Sequence, residues 1–277
     1  MAAPALARIP DTAAATPALQ VEAVTLSYAV DGRTVTAVED VSLDIRRGER
    51  LVLLGPSGCG KSSLLKSIGG FLPPASGRVL LDGQPVSRPG PDRMMVLQDF
   101  EQLLPWLTVR RNLVAALSWA RRTRRAEAEA TADDMLQRVG LARVADQYPS
   151  TLSGGMKQRV AIARALALRP EVLLMDEPFA ALDAMTRRRM QEELLALCEA
   201  TGVTTLFVTH AIDEAIVVGS RIVVMTAHPG RIRAVIDLPG GRGPDRGDPA
   251  FAALEARIGE LIADQIRGDA ATEAVDG

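Results

Sequence analysis

Apolar residues in this chain recur in two rhythms. Leu51-Val52-Leu53-Leu54, Glu171-Val172-Leu173-Leu174-Met175, Thr204 to Thr209 and Ile222-Val223-Val224-Met225 are short, almost unbroken apolar runs. Such runs suit strands buried on both faces. Between them lie stretches with helical spacing: Ser62 to Ile68, Val160 to Leu168, Thr186 to Ala200 and Ala211 to Val218. Strand and helix in alternation predict a parallel sheet covered by helices. Residues 19–50 follow a different pattern. Val21, Val24 and Leu26 precede a turn at Asp31-Gly32, Thr34 to Val38 follow it, and Val41, Leu43 and Ile45 alternate with polar residues. This predicts antiparallel strands. Arg78 to Leu81, closed by Asp82-Gly83, is a further short strand.

From about residue 99 to 160 the chain reads as a helical insert. Asn112 to Trp119 and Arg124 to Val139 are helices, and Gly140 is a stop. Arg121, Arg122, Arg124 and Arg125 fall on a solvated face balanced by Glu127 and Glu129. Residues 1–18 are an Ala/Pro-rich lead-in expected to be disordered. The main domain spans 19–240. Residues 241–277 form a Gly/Pro/Arg-rich linker and an amphipathic helix carrying Phe251, Leu254, Ile258, Leu261 and Ile262.

The junction between the first apolar strand and its helix carries chemistry. Gly55-Pro56-Ser57-Gly58-Cys59-Gly60-Lys61-Ser62-Ser63 places two glycines five positions apart ahead of Lys-Ser, the spacing of a phosphate-binding loop. Glycines at 55, 58 and 60 let the backbone approach phosphate oxygens, and successive N–H groups form an anion nest at a helix N-terminus. Lys61 would reach the β- and γ-phosphates, and Ser62 would hold Mg²⁺. Further on, an apolar strand ends in Asp176-Glu177, at the edge where ligands sit in such sheets. Asp176 would complete the Mg²⁺ site and Glu177 would polarise a water. Leu152-Ser153-Gly154-Gly155-Met156-Lys157-Gln158 places a capping Ser and two glycines at a helix start, a second anion-binding end.

Together these three stretches resemble the ATP-binding cassette family, and the remaining family elements follow in order between about Leu19 and Ile232. The resemblance implies a P-loop NTPase core of α/β class: a mixed or parallel sheet, an N-terminal antiparallel β subdomain and an inserted α-helical subdomain. It implies that Tyr28 stacks on adenine, that Gln98 contacts Mg²⁺ and water, that Ala181-Leu182-Asp183 is the D-loop, and that His210 senses the γ-phosphate. It also implies that Leu152 to Gln158 act in trans. Two ATP molecules would be held between two copies of the chain, each by Lys61 and Ser62 of one copy and Ser153 to Gly155 of the other. The region Gln98 to Val109, with Leu103-Leu104-Pro105-Trp106, is similar to that of importers for nitrate, sulfonates and taurine. In that family the groove there receives a coupling helix from the membrane permease, with two permease subunits serving the dimer, so Leu103, Leu104, Pro105 and Trp106 are expected permease contacts. A periplasmic solute-binding protein would act indirectly. Two departures stand out: Ala211 follows His210 where the family often has Asp, and Ala180 stands where this subfamily usually has Gly.

Composition narrows the setting. Net charge is −2, which does not favour a nucleic-acid partner. The two cysteines, Cys59 and Cys198, have neither disulfide-framework nor metal-ligand spacing, in keeping with a reducing cytoplasm. No run of 18 apolar residues occurs. The expected location is peripheral, on the cytoplasmic face of a bacterial inner membrane. The alternative is a soluble cassette ATPase acting on DNA or ribosomes.

Overall fold

The computed structural model describes residues 17–30, 32–98, 102–180 and 182–273. Most of the lead-in, Asp31 of the predicted turn, residues 99–101, Ala181 and residues 274–277 lie outside the described residues.

Two sheets pack on one another. The first is antiparallel. Strands β1 (Leu19–Val30) and β2 (Arg33–Ile45) pair along their length, β4 (Ser76–Leu81) joins the free edge of β1, and β5 (Gln84–Pro85) extends it. The runs at Thr34–Val38 and Val41–Ile45 therefore form one strand. Its register with β1 shifts between Val24 and Leu26, and Asp40 adopts a φ of 48°. Such irregularities twist a strand without ending it.

The second sheet contains β3 (Arg50–Leu54), β6 (Arg93–Val96), β7 (Val172–Asp176), β8 (Thr204–Thr209), β9 (Arg221–Met225) and β10 (Ile232–Asp237). Its order is β10-β9-β3-β8-β7-β6, with every pair parallel except β10–β9. Strands β5, β6 and β10 are additions to the sequence pattern. The four residues of β6 are too few to alternate visibly.

Successive side chains on a strand point to opposite faces, and the two cores obey that rule. Leu51, Leu53, Val172, Leu174, Leu206, Val208, Val223 and Met225 pack against the antiparallel sheet and helix α1 (Lys61–Ile68). Val52, Leu54, Leu173, Met175, Phe207, Ile222 and Val224 face the other helices. Those are α2 (Val109–Arg121), α3 (Arg125–Arg138), α4 (Gly154–Ala167), α5 (Ala184–Thr201), α6 (Ile212–Val218) and α7 (Pro249–Glu273).

Helices α2, α3 and α4 pack against each other. Thr108 caps α2 by accepting from the Arg111 N–H. Arg121 is exposed as expected, and its guanidinium also donates to the carbonyls of Leu168 and Arg169 at the C-terminal end of α4. Arg125 pairs with Glu129 as expected, at 2.9 Å. In α7, Phe251 and Ile258 are buried and Leu254, Leu261 and Ile262 are half-buried against the helical core. Among the described residues no helix is long and apolar enough to cross a membrane.

Leu113 is fully buried where α2 meets the helical core. Leu113→Ala is expected to cost about 3 kcal/mol by leaving a cavity. Chemical denaturation, read as a lower midpoint at unchanged slope, checks this.

Candidate functional site

The parallel strands end at one edge, and their register aligns the chemistry. Leu54 of β3 pairs with Thr209 of β8, so Gly55 lies level with His210. Val208 pairs with Asp176 of β7, and Met175 pairs with Val96 of β6, which brings Gln98 level with Glu177. Residues as far apart in sequence as Gly55, Gln98, Asp176, Glu177 and His210 thus emerge side by side.

The phosphate loop turns as its glycines dictate. Gly58 and Gly60 have φ of 81° and 89°, and Gly60 is the N-cap of α1. A Cβ on Gly60 would fall 2.5 Å from Val38 Cγ2 and 2.7 Å from the Ala37 oxygen, so only glycine fits. Lys61 is buried, and its ammonium donates to the Gly55 and Pro56 carbonyls, each at 2.8 Å. Cys59 lies behind the loop with Sγ 3.6 Å from that ammonium; burial pushes its thiol pKa up. Ser62 Oγ donates to Asp176 Oδ1 at 2.9 Å, uniting the loop with the end of β7. Burial raises the Asp176 pKa, a rise partly opposed by that Ser62 bond and reinforced by neighbouring Glu177. A hydroxyl and a partly desolvated carboxylate, oxygen donors both, suit a hard cation such as Mg²⁺.

Glu177 adopts a φ of 44°, unusual for a side chain of its size, and its N–H is held by the Val208 carbonyl at 3.0 Å. This turn aims the carboxylate across to β8, where Glu177 Oε1 lies 3.0 Å from His210 Nδ1. An acid and an imidazole at hydrogen-bond distance form a pair able to orient a water and a phosphoryl oxygen. Gln98 is exposed beyond β6. The backbone beside it is clamped by Gln102, which accepts from the Leu97 N–H and donates to the Leu97 carbonyl. Arg164 of α4 holds the Gln102 carbonyl at 2.8 Å. Tyr28 is half-buried on β1, paired with Val35.

Ser153 caps α4, accepting from the Met156 N–H at 3.4 Å. The helix begins at Gly154, six residues before the apolar pattern makes it visible. Leu152 and Gln158 are buried, whereas Ser153 is exposed. Among the described residues no hydrogen bond or ion pair joins Ser153 to Lys157 with the loop from Gly55 to Ser63. The turn borders α5 instead: a Cβ on Gly155 would lie 3.0 Å from Thr186 Cγ2. Leu182 is buried, and Asp183 caps α5 by accepting from the Met185 and Thr186 N–H groups.

Of the four apolar residues after the Gln98 region, Leu103 is only 3% exposed and belongs to the core. Its expected surface contact is therefore corrected, because burial under α2 removes it from any partner's reach. Leu104 is half-buried and Pro105 exposed, and Trp106 stands out at 69% exposure. His228 also borders the phosphate loop: its Cε1 lies 3.8 Å from where a Gly58 Cβ would be. The same segment seats Gly230 against the Cys59 carbonyl, where a Cβ would come within 2.0 Å.

Comparison with known proteins identifies the family. The family model described as ABC transporter matches residues 38–180. The nitrate import ATP-binding protein NrtD of Synechococcus elongatus is 45% identical over 262 residues, covering 92% of this chain and 95% of that one. The taurine import ATP-binding protein TauB of Rhizobium johnstonii is 46% identical, covering 83% of this chain and 90% of its own. The nitrate import ATP-binding protein NrtC of Synechococcus elongatus is 50% identical over 199 residues, but the chain spans only 30% of its length. Among solved structures, the dimeric post-hydrolysis state of the ATP-binding cassette MJ0796, bound to ADP and Pi, superposes with a TM-score of 0.71 at 34% identity, covering 80% of this chain and 99% of that one. The chain belongs to the ABC transporter family, as one of its ATP-hydrolysing cassettes.

Proposed function

We propose that this chain energises an importer for a small oxyanion such as nitrate, taurine or another sulfonate. It would work as an ATP-sandwich homodimer docked on two membrane permease subunits at the cytoplasmic face. The observation that carries the catalytic half of this reading is the Glu177–His210 pair at 3.0 Å beside the Ser62–Asp176 pair at 2.9 Å. The transport half is supported by relatives of similar length whose names specify nitrate and taurine import.

The site residues divide the work. The loop from Gly55 to Ser63 cradles the triphosphate with N–H groups and the Lys61 ammonium, and Tyr28 stacks on the adenine. Ser62, Asp176 and Gln98 would hold Mg²⁺, whose chemistry is to neutralise charge on the β- and γ-oxygens. Glu177 accepts a hydrogen bond from the attacking water and so orients it. His210, anchored by Glu177, donates toward the γ-phosphoryl oxygens. The protein's contribution is positioning and electrostatics.

The exposed Ser153 turn is a second anion-binding end with no bond to its own chain's phosphate loop. A partner copy's triphosphate is the ligand that fits it, as dimerisation of a related cassette suggests. Trp106, with Leu104 and Pro105 beside it, is the apolar anchor offered to the permease.

Glu177→Gln is expected to retain ATP affinity and slow turnover by about a hundred-fold or more. The same variant should accumulate as a dimer under saturating ATP and Mg²⁺. Turnover assays with light scattering check both; a variant that stays monomeric with ATP bound overturns the sandwich.

Asp176→Asn removes a carboxylate whose pKa is raised in the fold. Such a group contributes its stability below its unfolded pKa and loses it as pH rises through the folded pKa. At pH 8 the variant should therefore melt higher than the wild type, with the gap closing as pH falls toward 4, while Mg²⁺-dependent turnover collapses. Melting curves at both pH values, without nucleotide, read the difference. Uptake assays with nitrate and taurine in cells carrying the cognate permease test the solute.

A further inference from the structure

A carboxylate outside the site just described is buried between α6 and α5. Glu214, in the first turn of α6, is 5% exposed. Its Oε2 accepts from the Thr209 hydroxyl at 2.7 Å, and Thr209 Oγ1 in turn accepts from the Ala211 N–H at 3.0 Å. These two bonds pin the chain on either side of His210. On its other side, Glu214 Oε1 faces Arg187 Nε of α5 at 3.6 Å. Arg187 donates through Nη2 to the Leu182 carbonyl at 3.0 Å, the residue before the α5 cap Asp183. A continuous polar chain thus runs from the backbone beside His210, through Thr209, Glu214 and Arg187, to the turn at Leu182–Asp183.

The cost of this arrangement makes it informative. Burial raises the Glu214 pKa, and the Thr209 bond and the Arg187 charge pull it back down. A buried charge is expensive, and a well-packed apolar pair in its place is often at least as stable. Arg187 Nε, moreover, is buried without a hydrogen-bond partner. Its contact with Glu214 is an ion pair just beyond hydrogen-bond length, so a small approach of α5 to α6 would complete it. The pair joins two loops, so what happens at one end of it bears on the other.

We propose that Glu214 is a positioning residue for ATP hydrolysis, locking the loop that carries His210 to the Leu182–Asp183 turn through Arg187. The Leu182–Asp183 turn also borders the Ser153 end of α4, since Leu182 Cδ2 lies 3.8 Å from a Gly155 Cβ position. A shift at the Ser153 turn is therefore transmitted through Leu182, Arg187 and Glu214 to the Glu177–His210 pair. The inference rests on the ATPase reading of the site, and it extends that reading to residues outside the phosphate loop, the Asp176–Glu177 end of β7 and His210.

The test compares the full-length wild type, Glu214→Gln, Arg187→Gln and the double variant. For each, steady-state ATP turnover, ATP affinity by equilibrium binding and the melting temperature are measured. Glu214→Gln is close to isosteric and still accepts from Thr209, but it lacks the charge facing Arg187. It should lower kcat about ten-fold, within the coupling range of residues in one network, with KM and ATP affinity within two-fold of wild type. Arg187→Gln should lower kcat similarly, and the double variant no further than either single one. Should Glu214→Gln fail to fold, Arg187→Gln carries the same kcat-against-affinity comparison. Wild-type kcat in both single variants overturns the proposal, as do losses that multiply in the double variant or that follow ATP affinity and melting temperature. A wild type that binds ATP without turning it over would overturn the ATPase reading instead, so the two failures are distinct.

Discussion

Parallel pairing in register is the constraint on which the rest of this structure depends. Strands β3, β8, β7 and β6 run side by side, and each ends within a residue or two of the same edge. Backbone hydrogen bonds fix that alignment, and a one-residue slip of β7 would carry each of its side chains to the other face. The alternation that divides the apolar residues between two cores enforces the register. Leu173 and Met175 pack against the helices, while Val172 and Leu174 pack against the antiparallel sheet. Core packing thus brings the ends of β7 and β8 level, and the turn at Glu177 with the bonds around Thr209 then holds residues 33 positions apart at 3.0 Å.

The same edge concentrates backbone conformations that strain a residue with a side chain or that only glycine accepts. Glu177 and His228 have φ of 44° and 47°, Gly58 and Gly60 sit in the left-handed region, and Gly230 lies against the Cys59 carbonyl closer than any side chain would allow. Strain of this kind persists only where surrounding structure holds it, and it clusters where a backbone must approach a ligand. Here the surroundings are explicit. The Gly230 N–H and carbonyl are bonded to Ala37 and Glu39 of β2, so the antiparallel sheet braces the phosphate loop from behind.

How legible the site is in the sequence depends on how far apart its parts lie along the chain. Gly55 to Ser63 can be read directly because loop and helix start are contiguous and each residue type has one physical reason to be there. The Ser153 turn is legible as a cap, but its helix reads six residues too short, because glycines are weak helix formers and hide the first turn. Strand β6 is not legible. Arg93-Met94-Met95-Val96 has no period, and it becomes a strand by pairing with β7. Leu103 and Trp106 are equally apolar in sequence, yet one lies in the core and the other in solvent, a distinction that only the path of the chain into α2 decides. Glu214 and Arg187 are least legible of all. Each reads as an ordinary helix-surface charge until α5 and α6 pack together.

That last pair bears on the Ala211 departure. With alanine after His210, no carboxylate adjoins the histidine along the chain, yet the loop is not left without one. Glu214 reaches from the first turn of α6 to Thr209 at the end of β8, whose hydroxyl holds the Ala211 N–H. A carboxylate bonded through the Thr209 hydroxyl fixes the position of the loop while leaving the His210 ring free to bond Glu177. It also brings a charge within 3.6 Å of α5. A carboxylate attached directly to residue 211 would sit on the loop itself. From α6, the same charge answers to two helices at once, so the imidazole's position depends on how those helices are packed.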